Sequence, residues 1–584
     1  MRRGRLLATA IAGAMVAAYL TGMAATASTE SGTVTANGVE TSYLVLAKKG
    51  ASAEAVAQQL RSTGATVTHV NAAIGLVTAR SSDARFRESA GALAEVQGVT
   101  ADAAIGTAPQ RAKGPDPVEQ EHLFDRSRAN GTGKGVPPAP AGHDPFDGLL
   151  WGMEMIHAIE AHAVEQGDKV RVGILDTGVQ GDHLDIAPNF DATLSRNFTT
   201  DIPAIDGPCE EAGCVDPANE DDNGHGTHVA GTIGAALNGL GVSGVAPQAD
   251  LVNIRGGQDS GYFFLGPVAN ALTYAGDNGL DVVNMSFYVD PWLYNCVGGA
   301  PQDRAFPQAV AEQMTIIEAM DRALDYAHGK GVTLVGALGN NHEDLTNPRH
   351  DLSSPDYDNP AYPWDNAPYE RTIENATCYD LPVEGPHVLG ISSLGPSGTK
   401  ADYSNYATGL SPEIELSAPG GWYRDGFGTD SYRTNGNLIL SSVSLVSLTD
   451  TGEVDKNGNV TKLGRINGVL KACDNGKQNE NTATCSYYAW YQGTSMAAPH
   501  ASGVAALAVG AHGTGTSAAN FGLAPDTVRS ILMSTATNHA CPAGGVQSYE
   551  REGRSAEFTA TCSGTVDFNS FYGDGIVNAL GVVQ

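Results

Sequence analysis

The chain is 584 residues long, room for about four domain-sized units, and 41% hydrophobic against 17% charged residues excludes a disordered polyelectrolyte. Its 34 Lys and Arg against 65 Asp and Glu leave a formal net charge of −31. That sets nucleic acid aside as a partner, because phosphate binding needs basic side chains to displace counterions.

At the N-terminus, Arg2, Arg3 and Arg5 precede an apolar run from Leu6 to Leu20, and Ala25-Thr26-Ala27 supplies small residues for cleavage. This is the pattern of a secretory signal peptide over 1–27, with an apolar stretch short for a membrane span. No later stretch reads as membrane-crossing, so a secreted, extracellular protein is expected, without a membrane partner once the leader is gone. The cysteines agree with export. Cys209, Cys214, Cys296, Cys378, Cys473, Cys485, Cys541 and Cys562 are even in number and show no zinc-knuckle spacing. The short loops 209–214, 473–485 and 541–562 suggest sequential closure, which leaves 296 with 378, although sequence alone does not choose the pairing.

Residues 40–106 read as a small α+β unit. Tyr43–Leu46 is a strand, Ala53–Arg61 a helix carrying Val56 and Leu60 on one face, Ala65–Val70 and Ile74–Ala79 paired strands, and Phe86–Val96 a second helix. Residues 107–148 read as a linker, punctuated by Pro109, Pro115, Pro117 and Val136-Pro137-Pro138-Ala139-Pro140, with few backbone contacts expected. Residues 28–148 carry a net charge of −2 and 149–584 a net charge of −32, so the acidity belongs to the larger part. From about 150 onward, apolar runs at Val170–Leu175, Leu251–Ile254, Asp281–Met285 and Val332–Leu338 alternate with helical stretches such as Val268–Gly276 and Thr315–His328. The pattern predicts an α/β fold, a mostly parallel sheet flanked by helices, with ligands at the carboxyl ends of the strands.

Four segments place reactive groups beside small or turn-forming residues. Asp176 ends an apolar strand, where an ionised carboxylate needs hydrogen bonds. His225 lies in Asn223-Gly224-His225-Gly226-Thr227-His228, where flanking glycines allow close approach; His228 reads as a packed histidine rather than a metal ligand. Ser495 lies in Gly493-Thr494-Ser495-Met496-Ala497-Ala498-Pro499-His500, at a crowded turn into a helix, and Pro499 is assigned to the first turn of that helix. Asn340, after Gly339, would project its amide from a strand end.

The blocks around Asp176, His225 and Ser495 resemble the three signature blocks of subtilisin-like serine proteases (subtilases), in that family's order. The resemblance covers about 149–584, with insertions at 289–314, 341–386 and 421–490. It implies a secreted serine endopeptidase acting on proteins or peptides through an acyl-enzyme, with no cofactor for the chemistry. Ser495 would be the nucleophile, His225 the base and Asp176 its orienting carboxylate, with Asn340 in the oxyanion hole. Ser286, Phe287 and Gly339 would bind substrate, although Phe287-Tyr288-Val289 departs from the family's Leu-Gly-Gly. Residues 28–106 resemble the family's inhibitory propeptide, a partner in cis removed by self-cleavage from a monomeric enzyme. The resemblance also admits structural calcium, for which the acidic run Asp216 to Asp222 could offer oxygen ligands; a solvated acidic face is the plainer reading of that run. A serine esterase, or an inactive binding protein on the same scaffold, would carry the same blocks.

Overall fold

The computed structural model describes residues 40–102, 118–124, 143–354, 369–474 and 485–584. The leader expected at 1–27 and most of the linker expected at 107–148 lie outside these residues. Among the described residues, no helix is long and apolar enough to cross a membrane.

The first elements are β1 (Thr41–Ala47), α1 (Ala53–Ser62), β2 (Thr66–Asn71), β3 (Leu76–Ser81), α2 (Phe86–Gly91) and β4 (Val96–Ala101). The strands form an antiparallel sheet in the order β2-β3-β1-β4. Period-two alternation divides its faces. Val45, Val77 and Val99 pack with Val56, Ala57 and Leu60 of α1, while Leu44, Leu46 and Leu76 turn the other way. The helix expected over Phe86–Val96 stops at Gly91, and the following residues build β4. Opposite Leu46 and Ala47 of β1, β4 carries one extra residue, Gln97, so its alternation is broken and the strand does not announce itself in sequence. A short helix, α3 (Glu121–Phe124), follows.

The larger sheet comprises β5 (Arg171–Leu175), β6 (Arg196–Asn197), β7 (Asp250–Arg255), β8 (Val282–Met285), β9 (Thr333–Ala337), β10 (Val388–Leu394) and β11 (Leu416–Pro419). All its pairings are parallel, in the order β11-β10-β9-β8-β5-β7-β6. Central strands are buried on both faces, as a parallel sheet requires. On one face lie α4 (His225–Gly234) and α7 (Thr494–His512), sharing an apolar core with Val172, Ile174 and Val282. On the other lie α5 (Leu265–Asp277) and α6 (Pro307–Gly329), with Leu175, Val252 and Val283.

The N-terminal sheet docks on α5 and α6. Leu44, Leu46 and Leu76 join the core of those helices. Arg322 of α6 donates to the carbonyls of Ala47 (2.8 Å) and Ile74 (3.0 Å), and Asn71 donates to Asn270 and Thr273 of α5.

The insertion at 421–490 holds β12 (Ile439–Val443), β13 (Leu470–Cys473) and β14 (Cys485–Tyr491), an antiparallel sheet in the order β12-β14-β13. Its Leu440, Val443, Tyr488 and Tyr491 enter the core around α4 and α7, so this insertion is structural rather than a surface decoration. The disulfides pair Cys209 with Cys214, Cys296 with Cys378, Cys473 with Cys485 and Cys541 with Cys562, as loop length suggested. The second of them ties the 289–314 insertion to the 341–386 one.

Candidate active site

Asp176 follows directly on β5 and is fully buried. Its Oδ1 accepts from the Thr177 amide at 2.8 Å and meets His225 Nδ1 at 2.7 Å, so the carboxylate fixes the imidazole by its inner nitrogen. His225 is the first residue of α4. Both flanking positions need glycine: Gly224, just before it, has φ of +93°, and a Cβ on Gly226, just after it, would stand 2.1 Å from the Gly178 carbonyl oxygen. Asp221, which sequence reasoning passed over within an acidic run, clamps this turn. Its carboxylate accepts from Thr177 Oγ1, Gly224 N, Thr227 N and Thr227 Oγ1.

Ser495 lies in the first turn of α7, after Gly493. Pro499 sits in the second turn rather than the first. Having no N–H, it leaves the Ser495 carbonyl free of its helical partner. That carbonyl accepts instead from Ser286 Oγ at 3.2 Å, which joins the segment after β8 to the turn that carries Ser495. Asn284 continues the link, donating to Ser286 Oγ and accepting from Ser502 Oγ of α7. Phe287 stacks on Phe263 with ring centroids 4.0 Å apart.

Gly339 and Asn340 follow β9. The Asn340 Oδ1 accepts from both Thr494 N and Thr494 Oγ1 at 2.9 Å, and Thr494 Oγ1 in turn accepts from Gly339 N at 3.1 Å. With its oxygen committed, the Asn340 amide has its Nδ2 toward Gly493, 3.4 Å from where a Cβ there would stand. His228 is structural, as expected: its Nε2 faces the Ile439 and Ala489 carbonyls, and burial pushes its pKa down to about 3.

The structure thus gathers Asp176, His225, Ser495, Asn340, Ser286 and Gly339 at the carboxyl end of the sheet, but it does not join Ser495 to His225. Ser495 Oγ donates to the Ser286 carbonyl at 3.4 Å. His225 Nε2 faces Glu119 instead, at 3.5 Å from its Oε1. Burial alone would lower the His225 pKa; the carboxylates of Asp176 and Glu119 outweigh it and hold the imidazole well above its ordinary value. Glu119 falls in the segment expected to be a linker with few contacts, and the expectation fails there. Val118 and Glu119 carbonyls are both hydrogen-bonded to Gln492.

A second cluster of acidic side chains, buried except for Glu210, involves other residues. Asp216, Asp222 and Asp259 bring carboxylate oxygens within 4.8 Å of one another, and Asp201 and Glu210 approach Asp259 likewise. Arg255 pairs with Asp216 and Asp259. Both carboxylate oxygens of Asp201 are buried without a hydrogen-bond donor.

A buried aspartate bonded to an imidazole, a serine at a helix start and an asparagine amide nearby, together at the end of a parallel sheet, are the parts of a serine hydrolase. The chain belongs to the subtilase family, whose model matches residues 167–555. It is 27% identical over 271 residues to a thermostable alkaline protease of Halalkalibacterium halodurans, a match covering 46% of this chain and 53% of that protein. The chain thus spans about half the length of that relative. It is 26% identical to subtilisin DY of Bacillus licheniformis, over 66% of this chain and 91% of the relative. In fold it matches the epidermin leader peptide processing serine protease of Staphylococcus aureus, with a TM-score of 0.59 at 18% identity, over 93% of this chain and 98% of that one.

Proposed function

We propose that the protein is a secreted, monomeric serine endopeptidase, made as a precursor that processes itself, with Ser495, His225 and Asp176 as its triad. The observation that carries the reading is the 2.7 Å contact between Asp176 Oδ1 and His225 Nδ1 at the strand ends, with Ser495 opening the neighbouring helix. In the working state His225 Nε2 takes the Ser495 Oγ proton as the oxygen attacks a peptide carbonyl carbon. Asp176 accepts the Nδ1–H and stabilises the imidazolium. The carbonyl oxygen, now an anion, receives the Ser495 N–H and Asn340 Nδ2–H. Collapse expels the amine, which takes its proton from His225, and water then cleaves the acyl ester by the same route. The Ser286–Phe287 segment and Gly339 are assigned to an extended substrate backbone. No cofactor enters these steps.

The N-terminal sheet is assigned as the inhibitory, folding-assisting propeptide in cis. Its docking on α5 and α6 through Arg322 and Asn71 supports this. The acidic pocket fits a hard divalent cation such as calcium, because four buried aspartates face one arginine and Asp201 lacks a hydrogen-bond donor. Asp216, Asp222 and Asp259 would hold such an ion, and its part would be structural.

The test is Ser495→Ala. The variant should accumulate as a folded precursor with its N-terminal region uncut, and the wild type should cleave casein in preference to short-chain esters. Normal maturation of Ser495→Ala would remove self-processing, and ester cleavage without peptide cleavage would make the enzyme an esterase.

A further inference from the structure

The segment Val118–Phe124 enters the cleft in a manner that does not resemble a substrate. We propose that the catalytic part carries a docking site for a short acidic peptide, that its occupant is Val118–Phe124 of the same chain, and that this segment is a second inhibitory element distinct from the N-terminal sheet. The proposal rests on the assignment of Ser495 and His225 above.

Three groups of the catalytic part read the segment. Gln492, three residues before Ser495, donates its backbone N–H to the Glu119 carbonyl (3.2 Å) and its Nε2 to the Val118 carbonyl (2.9 Å) and Glu121 Oε2 (3.2 Å). Arg424 places Nε 2.7 Å from Glu121 Oε1, and Arg554 places Nη2 3.3 Å from Oε2, so two guanidiniums grip one carboxylate. Both arginines also bond or face the buried carboxylate of Asp402, which fixes them independently of the peptide. A preset pair of this kind loses little rotamer freedom when the peptide arrives. In a chain of net charge −31, a two-arginine clip beside the reaction centre selects an acidic occupant.

The third contact is the inhibitory one. Glu119 is 3% exposed, and its Oε1 lies 3.5 Å from His225 Nε2 and 3.2 Å from where a Cβ on Gly493 would stand, a point that Asn340 Nδ2 also borders at 3.4 Å. The carboxylate therefore faces the base where the nucleophile should, and it stands beside the oxyanion donors as a negative charge. Ser495 Oγ is left to the Ser286 carbonyl. The Val118 and Glu119 carbonyls are turned to Gln492 and residues 121–124 are helical, so the segment does not lie as an extended strand. The element blocks by uncoupling the base from the nucleophile and is not itself a bond to be cut in this pose. Its hold is separate from that of the N-terminal sheet, which uses Arg322 and Asn71 on the opposite face of the large sheet. Because the segment is tethered, a modest intrinsic affinity suffices: a linked group acts at an effective concentration in about the millimolar range.

The experiment uses the full chain and reads fluorophosphonate labelling of the uncut band and of the processed protein on one gel. Glu119→Gln should raise the labelling rate of the uncut precursor about tenfold or more, since it removes a charge-assisted contact to the base. Glu121→Gln should act in the same direction by a smaller factor, and the double variant should exceed both. Uncut variants labelling at the wild-type uncut rate, while processed protein labels rapidly, would overturn the proposal and leave the serine assignment standing. Silence of every form, processed protein included, would overturn the serine assignment and this proposal with it.

Discussion

The assignment of Asn340 to the oxyanion hole makes a quantitative demand. Its Oδ1 is held by two donors of Thr494 at 2.9 Å each, so the Nδ2 has one orientation and, on that assignment, would meet a developing anion without rearrangement. Replacing Asn340 with alanine removes one of two donors. Such a loss typically lowers kcat about 10²–10³-fold, or about 2.7–4 kcal/mol of transition-state stabilisation. KM should change little, since the bond strengthens only as charge develops. Thr494→Val deletes one of the two anchors and keeps the backbone N–H, so its kcat should fall less, by about three- to tenfold. Steady-state hydrolysis of a chromogenic peptide by processed enzyme, normalised to active sites, reads both numbers. A kcat for Asn340→Ala within about threefold of wild type, or a loss confined to KM, would refute the geometry argued here.

Three further outcomes follow from the same contacts. Asp176→Asn should leave the fold intact and lower kcat about 10⁴-fold, because an amide in place of the carboxylate favours the wrong imidazole tautomer; a loss below tenfold in hydrolysis would contradict the role of the 2.7 Å contact. For processed enzyme, kcat/KM should rise with pH as the His225 imidazolium loses its proton and then level off, whereas a flat profile from mildly acidic to alkaline pH would count against His225 as the base. Burial pushes Asp201 and Asp222 up to about 7, with neighbouring carboxylates adding to it. The folded state then keeps protons that the unfolded chain has already lost above the ordinary carboxylate range. Metal-free stability should therefore fall as pH rises from about 4 towards 7, and calcium should reverse that fall most at neutral pH and above. Thermal unfolding with and without chelator at pH 8 reads this: Tm should drop on chelation, the difference should vanish in Asp222→Asn, and an unchanged Tm would remove the cation from the account.

What the sequence disclosed and what it hid divide along the range of the interactions. Asp176, His225 and Ser495 were legible because each must sit beside small residues that let backbone approach closely, as Gly226 does under the Gly178 carbonyl, and that need is written in adjacent positions. The parallel sheet was legible because strands buried on both faces are apolar throughout. β4 was not, since its own extra residue, Gln97, broke the alternation. Asp221 was hidden for another reason: inside an acidic run, a carboxylate saturated by four donors has the same letter as one facing water. Glu119 was hidden most completely. Val118–Phe124 lies in a proline- and glycine-punctuated stretch, and its meaning comes from Gln492, Arg424 and Arg554, all about 300 or more positions away.

The insertion that separates the histidine block from the serine block ties these observations together. β12 and β14 supply the Ile439 and Ala489 carbonyls that face His228 Nε2, so the sheet braces the helix that begins with His225. β14 then leads through Gln492, which grips the acidic segment, into Gly493 and Thr494, which border and orient Asn340, and so to Ser495. One continuous stretch from Cys485 to Ser495 therefore seats the helix that begins with His225, holds Val118–Phe124 and leads into the residues that orient Asn340 and carry Ser495. On the proposed reading, freeing the peptide and forming the working site are linked through the same backbone, because Glu119 borders both His225 Nε2 and Gly493 and would leave the two together.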